Sequence, residues 1–123
     1  MKLLVEEDES RALSDAIDTW RQHATCDLAA VEVTRAVERA GASTEVRAGI
    51  DRLFTGVNAI ETTDVVLQRA RDVPPRTLRS LDAIHLSTAL SLGEELSAFA
   101  TYDRRLAEAA AATGINVIAP GSA

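Results

Sequence analysis

The chain has 123 residues, a length that provides for one domain with one hydrophobic core, so we expect a single domain over residues 1–123. Its net charge of −6 argues against a protein that coats nucleic acid through a broad basic face. No apolar run approaches the roughly 20 residues of a membrane span, and the single cysteine excludes an internal disulfide, so we expect a cytoplasmic protein with no membrane partner.

Apolar residues at helical spacing and capping residues predict three helices in the first half of the chain. These helices cover residues 10–23, 28–40 and 43–56, and their capping candidates are Ser10, Asp27 and Ser43 or Thr44. A short strand near Thr25 and a strand over residues 57–62 complete this half.

Glu32 lies beside the apolar face of the second predicted helix, one turn from Ala29 and Ala36. By itself it is explained as a carboxylate at the rim of that face, paired with Arg35 or Arg39. The alternative is a metal ligand, if other acids lie close to it in the fold.

The second half of the chain alternates helices and strands. Its predicted elements are a helix over residues 64–72, a break at Val73-Pro74-Pro75, an apolar helix around Leu81, a strand over residues 97–102, an alanine-rich helix over residues 104–113 and a strand over residues 115–118. Such alternation implies an α/β protein with a parallel sheet flanked by helices, although three or four short strands make a thin sheet for so many helices.

Asp82 and Asp103 are the most informative residues of the sequence. Asp82 is in the first turn of the apolar helix, and Asp103 directly follows a predicted strand. Ligands of open α/β sheets bind beyond the carboxyl ends of the strands, so two carboxylates there are a candidate site for a hard cation. Either residue alone is more often a helix cap. Together with a third acid on an apolar-flanked helix, they form a candidate site for Mg²⁺ or Mn²⁺.

Several other kinds of site have no support in the sequence. No cluster of thiols and histidines indicates zinc, and the motifs GxxxxGK[ST], GxGxxG and G-x-S-x-G are absent. Nucleoside triphosphate binding and serine catalysis therefore have no basis here. His85 lies one turn after Asp82, where it either orients that carboxylate or is a hydrogen-bonded core histidine.

The segments LRSLDAIHLSTAL and FATYDRRLAEAA, followed by GINVIAP, resemble the C-terminal half of PIN-domain ribonucleases. The most similar group is the VapC-type toxins of bacterial toxin–antitoxin pairs. The segment CDLAAVEVTRAVERA resembles the helix of that family that carries its second acid. The resemblance covers essentially the whole chain and implies a three-layer α/β/α fold with a short parallel sheet.

This resemblance implies an endoribonuclease that uses Mg²⁺ or Mn²⁺ to cleave RNA phosphodiesters. Glu32, Asp82 and Asp103 fall on the family's second, third and fourth acids, which makes them the expected metal ligands and catalytic residues. Thr101 matches a position whose hydroxyl supports the site.

Arg79, Arg104 and Arg105 lie near these acids in the sequence and are candidates for contacts with RNA phosphates, with solvated surface side chains as the alternative. The resemblance also implies a homodimer and a small VapB-type antitoxin that covers the site.

One departure from the family lies at the start of the chain. The family begins with a central strand that ends in its first acid, in a pattern like Asp-x-Ser or Asp-x-Thr followed by Ala-Leu-Val-Lys-Leu. Here Met1 to Val5 begins at the tail of that pattern, so we expect the central first strand and the first acid to be missing. One explanation is that Met1 is a miscalled or engineered start within a longer protein. The other is a natural short form that is inactive or weakly active.

Two functions of other classes stay open. One is a catalytically impaired PIN-like module that binds antitoxin or RNA without cleaving. The other is a non-nuclease α/β domain of the phosphoryl-transfer or receiver type, which the absence of an acidic pair after an N-terminal strand disfavours. Metal binding without RNA cleavage would distinguish the impaired module from the ribonuclease.

Overall fold

The computed structural model describes residues 22–41 and 43–120, together with Ala12, Asp15 and Asp18. These three residues are helical, as expected for the helix predicted over residues 10–23, but Gln22 and His23 are not helical, so the helix ends earlier than predicted. The Ser10 cap lies outside the described residues. The expectation about the first strand, which concerns the start of the chain, lies outside them too. The described residues form two compact units, one up to Ile60 and one from Glu61 onward. That the whole chain is one domain stays a prediction.

The first unit contains strand β1 (Ala24–Cys26), helices α1 (Ala29–Arg39) and α2 (Thr44–Thr55), and strand β2 (Asn58–Ile60). β1 and β2 are parallel, with Ala24 opposite Asn58 and Cys26 opposite Ile60. The N–H of Asp27 donates to the carbonyl of Ile60 at 3.0 Å and extends the pairing beyond β1. Parallel neighbours need a crossover connection, which α1 and α2 provide.

The capping predictions for this unit have different outcomes. α2 begins as expected, because the Ser43 hydroxyl accepts the N–H of Val46 at 3.2 Å. The prediction that Asp27 caps the next helix was wrong: the cap residue of α1 is Leu28, and no side chain makes a capping hydrogen bond there. Asp27 is instead held in the turn after β1, since its N–H is used in pairing with β2. Gly41 follows the end of α1 with a φ of +68°, a conformation that glycine adopts without strain.

The interior of the first unit contains Cys26, Val37 and Ile50. Cys26 is a buried thiol that forms no disulfide among the described residues, and its Sγ accepts the N–H of Leu28 at 3.5 Å. On the surface, Arg47 of α2 pairs with Glu38 of α1. Both side chains are more than half exposed, so this ion pair contributes little to stability.

The second unit contains helices α3 (Asp64–Asp72) and α4 (Ser80–Ser91), a 3₁₀ turn (Gly93–Glu95), strand β3 (Phe99–Ala100), helix α5 (Arg104–Ala112) and strand β4 (Val117–Ile118). β3 and β4 are parallel, with Phe99 opposite Val117 and Ala100 opposite Ile118. The helices match their predicted limits closely, whereas both strands are shorter than predicted. The strands are parallel and alternate with helices along the chain, which confirms the α/β class.

The core of the second unit forms where α4 and α5 meet. Its buried members are Leu86, Leu106, Ala109 and Ala110. Partly buried apolar side chains surround them: Val73, Leu78, Leu90, Phe99, Ile115 and Val117. No helix in the described part of the chain is long and apolar enough to cross a membrane.

Two hydroxyl groups are buried in α4, and both have hydrogen-bond partners. Ser87 is fully buried, and its hydroxyl donates to the carbonyl of Val66 in α3 at 2.7 Å. Thr88 donates to the carbonyl of Ile84 within its own helix at 2.8 Å. A helix that is apolar on most sides can therefore be buried without the cost of an unpaired polar group.

We expect the Ser87→Ala variant to lose about 1 kcal/mol of unfolding free energy, because it removes the hydrogen bond between α3 and α4. Urea unfolding measures the loss. Ser91→Ala is the matched control, since the exposed Ser91 hydroxyl bonds to the carbonyl of Thr88 in its own helix, and it should cost less than about 0.5 kcal/mol. Equal losses in the two variants would contradict the assigned role of Ser87.

Candidate active site

Asp82 and Asp103 share a cleft in the second unit. The cleft has a volume of ≈ 310 Å³ and is lined by Leu78, Arg79, Asp82, Asp103, Arg104 and Arg105. Five of these residues are acids and arginines that the sequence predicted for the site. Leu78 is the one that sequence reasoning missed, because an apolar residue after a proline pair carries no signal for a site.

Asp103 is the N-cap residue of α5. Its backbone is extended, with φ −78° and ψ 118°, and its Oδ1 accepts the N–H of Leu106 at 3.0 Å. The two interpretations of this residue are therefore compatible: one carboxylate oxygen caps the helix, and Oδ2 is the oxygen that can face a cation in the cleft.

Thr101 does not line the cleft, but it contacts a residue that does. Its hydroxyl accepts the N–H of Asp103 at 3.1 Å, and its own N–H donates to the carbonyl of Ile118 at 3.1 Å. Thr101 thus links the backbone of Asp103 to the end of the β3–β4 pairing. The supporting role implied for its hydroxyl remains a prediction, which this geometry favours.

Asp82 enters the cleft from the first turn of α4 and is half-buried. The cap residue of this helix is Arg79, whose side chain makes no capping hydrogen bond. A negative charge in the first turn is favourable because the helix dipole is positive there. His85, one turn further along α4, is also half-buried, and both of its possible roles stay open.

Glu32 belongs to the first unit, where it lies half-buried in the first turn of α1. Asp27, at the carboxyl end of β1, is an acid at the end of a parallel strand for which the sequence suggested only a capping role. Among the described residues, no three His, Cys, Asp or Glu side chains are grouped so that they could hold a metal ion. The set of three ligands therefore stays a prediction.

The donors that do meet in the cleft suit a hard divalent cation. Asp82 and Asp103 offer carboxylate oxygens, and Mg²⁺ is commonly held by one or two carboxylates, with waters and substrate phosphate completing its shell. Arg79, Arg104 and Arg105 are exposed around them, and the planar guanidinium group suits phosphate oxygens. The cleft thus combines groups for a cation with groups for a phosphodiester.

A second cavity, of ≈ 270 Å³, lies between α1 and α2 in the first unit. Its lining residues are Thr34, Thr44, Arg47, Ala48, Ile50 and Asp51. It contains a single carboxylate, and Arg47 is already paired with Glu38. This cavity therefore offers no comparable arrangement for cation and phosphate binding.

Comparison with known proteins agrees with this chemistry. The PIN domain family matches residues 1–112. Ribonuclease VapC35 of Mycobacterium tuberculosis is 39% identical over 127 residues, which cover 100% of this chain and 93% of the relative. Ribonucleases VapC46 and VapC47 of the same species are 40% and 36% identical, and each match covers 98% of this chain and 91% of the relative. No solved structure gave a significant match. The chain therefore belongs to the PIN-domain family, with VapC-type ribonucleases as its relatives and a three-layer α/β/α fold class.

Proposed function

We propose that this chain is an endoribonuclease that depends on Mg²⁺ or Mn²⁺ and serves as the toxin of a type II toxin–antitoxin system. The observation that carries the proposal is the cleft in which Asp82 and Asp103 lie beside three arginines. The ribonuclease names of relatives that match nearly the whole chain support it.

In this proposal each group in the cleft has a defined task. Asp82 and Asp103 hold the divalent cation, and Glu32 is the third ligand. When bound, the cation acts as a Lewis acid, activating water and offsetting negative charge on the phosphate. Arg79, Arg104 and Arg105 bind the RNA backbone and orient the phosphodiester, and Thr101 fixes the backbone of Asp103.

The partners follow from the same family relationship. We propose RNA as the substrate, a VapB-type antitoxin as the protein that covers the cleft, and a homodimer as the assembly, in the cytoplasm. The alternative is an impaired PIN-like module that binds RNA or antitoxin without cleaving. This alternative rests on the departure of the first residues from the family's pattern, in which a strand ends in the first acid.

We expect the chain to cleave a structured RNA mixture in the presence of Mn²⁺ or Mg²⁺ and to lose this activity in EDTA. The Asp82→Asn variant should be slower by about 100-fold or more, because removing a ligand costs at least as much as removing a group that supports one. Gel analysis of cleaved RNA measures both effects. Metal binding without cleavage by the folded wild-type chain would instead support the impaired module.

Two substitutions of Asp103 separate its capping role from its charge. Asp103→Asn keeps the oxygen that accepts the N–H of Leu106, so it should remain within about 0.5 kcal/mol of the wild-type stability, whereas Asp103→Ala should lose about 1 kcal/mol. Both variants should lose RNA cleavage, since neither has the carboxylate charge.

Thr63→Ala is the matched capping control for these variants. Its hydroxyl caps α3 by accepting the N–H of Val66 at 3.2 Å, so this variant should lose about 1 kcal/mol but keep cleavage. Thermal or urea unfolding and the cleavage assay provide both readouts. An active Asp103→Asn enzyme would remove Asp103 from the proposed ligands.

Binding of a labelled single-stranded RNA to the Asp82→Asn chain, measured at several salt concentrations, tests the arginines. Adding Arg104→Gln and Arg105→Gln should lower the slope of log affinity against log salt by about 0.7 for each phosphate that the chain no longer neutralises. Adding Arg47→Gln, in the first unit, should leave the slope unchanged. An unchanged slope in the Arg104→Gln, Arg105→Gln chain would indicate that these side chains are simply solvated.

A further inference from the structure

The three residues between β3 and α5 carry Asp103 into the cleft, and we call Thr101, Tyr102 and Asp103 the Asp103 turn. At its start, the N–H of Thr101 donates to the carbonyl of Ile118 in the neighbouring strand at 3.1 Å. At its end, Asp103 accepts the N–H of Leu106 at 3.0 Å. The turn is therefore tied to the sheet at one end and to the helix at the other.

Tyr102, in the middle of the turn, provides a third tie. Its phenolic hydroxyl donates to the backbone carbonyl of Pro120 at 2.5 Å, across 18 positions of sequence. Pro120 lies shortly after β4, the strand that pairs with β3. The ring is half-buried and is not part of the cleft lining, so the link from Tyr102 to the cleft runs through the backbone of the turn.

The peptide that joins Tyr102 to Asp103 is held by a hydrogen bond within the turn. Its N–H is the group that bonds to the Thr101 hydroxyl at 3.1 Å. A rotation of this peptide would break that bond and loosen the backbone from which the Asp103 carboxylate extends. Asp103 itself is exposed, so packing around its side chain provides little restraint. A carboxylate ligand needs such support, because it must be held within about 0.5 Å of its productive position.

We propose that Tyr102 is a positioning residue, whose hydroxyl bond to Pro120 holds the Asp103 turn and thereby aims the Asp103 carboxylate into the cleft. The effect on metal binding rests on the proposed function, whereas the effect on the turn does not. Outer partners of metal ligands typically change metal affinity or activity by about 10- to 100-fold, so the contribution of one hydroxyl is measurable.

The test compares the full chain with its Tyr102→Phe variant, which keeps the ring and removes only the hydroxyl. The first readout, by NMR, is hydrogen exchange of the Leu106 amide, which should become about fivefold faster because the turn opens more often. The Val66 amide, which bonds to the Thr63 cap in the same unit, should exchange at the wild-type rate.

The second readout is Mn²⁺ binding, measured by electron paramagnetic resonance without RNA. The Mn²⁺ concentration for half-saturation should rise about tenfold in Tyr102→Phe. RNA cleavage by this variant should recover toward the wild-type rate at high Mn²⁺, since the ligand is still present.

Thr113→Val is the matched control, because it also removes one hydroxyl and keeps the shape of the side chain. That hydroxyl bonds to the carbonyl of Ala110 at 2.6 Å, at the opposite end of α5 from Asp103. This variant should leave Leu106 exchange and Mn²⁺ binding at wild-type values. If Thr113→Val changed Leu106 exchange and Mn²⁺ binding as much as Tyr102→Phe does, the Tyr102 effect would be general destabilisation, and the inference would be overturned.

The two proposals fail in different ways. A wild-type chain that binds Mn²⁺ and cleaves RNA, with a Tyr102→Phe variant unchanged in Leu106 exchange and in Mn²⁺ binding, would overturn the positioning role alone. A folded wild-type chain that neither binds Mn²⁺ nor cleaves would overturn the proposed function. In that case hydrogen exchange of the Leu106 amide would still test whether Tyr102 holds the turn. Faster exchange in Tyr102→Phe would support this role, and an unchanged rate would overturn it.

Discussion

The hydrogen bond between the N–H of Leu106 and Oδ1 of Asp103 joins the stability of the second unit to the chemistry of its cleft. An exposed aspartate is otherwise free to rotate, but a capping aspartate has one oxygen directed at the free N–H groups of the first helical turn. The second oxygen is then held at the end of the sheet, beside the other groups of the cleft. A common local structural device thus holds a carboxylate where a cation can use it.

Burial of α4 positions the other carboxylate of the cleft, that of Asp82. Leu86 and its apolar neighbours place the helix in the core, and the bond from Ser87 to Val66 satisfies a hydroxyl that would otherwise oppose burial. Only the first turn of the helix reaches the cleft, and Asp82 lies in that turn. The half-buried carboxylate is therefore located by packing further along the helix.

The net charge of the whole chain does not indicate which charges line the cleft. A net charge of −6 disfavours general binding to nucleic acid, yet three arginines stand around the two acids. Charges within a few ångströms outweigh distant ones at physiological salt, where the screening length is about 8 Å. A chain that is acidic overall can therefore still present a local group of arginines at one cleft.

Short-range features of the structure could be predicted from the sequence alone. The limits of α3 and the caps at Ser43 and Asp103 depend on residues within one helical turn, so local patterns were sufficient. Asp82 and Asp103 were recognised by their positions at the starts of helices, and the segments around them indicated the PIN-domain family.

Features that depend on pairing between distant segments required the tertiary structure. Asp27 resembles a cap in sequence, but the helix begins one residue later, with Leu28 at its cap position, and the N–H of Asp27 pairs with the carbonyl of Ile60. β3 and β4 are shorter than the apolar runs that predicted them, because a strand extends only as far as the neighbouring strand offers backbone hydrogen-bond partners. The common cleft of Asp82 and Asp103, and the bond from Tyr102 to Pro120, likewise arise from the packing of segments far apart in the chain. The sequence by itself therefore determined the family, the helices and the candidate acids. Only the tertiary structure decided which side chains meet, because contacts between distant segments form only when the chain packs.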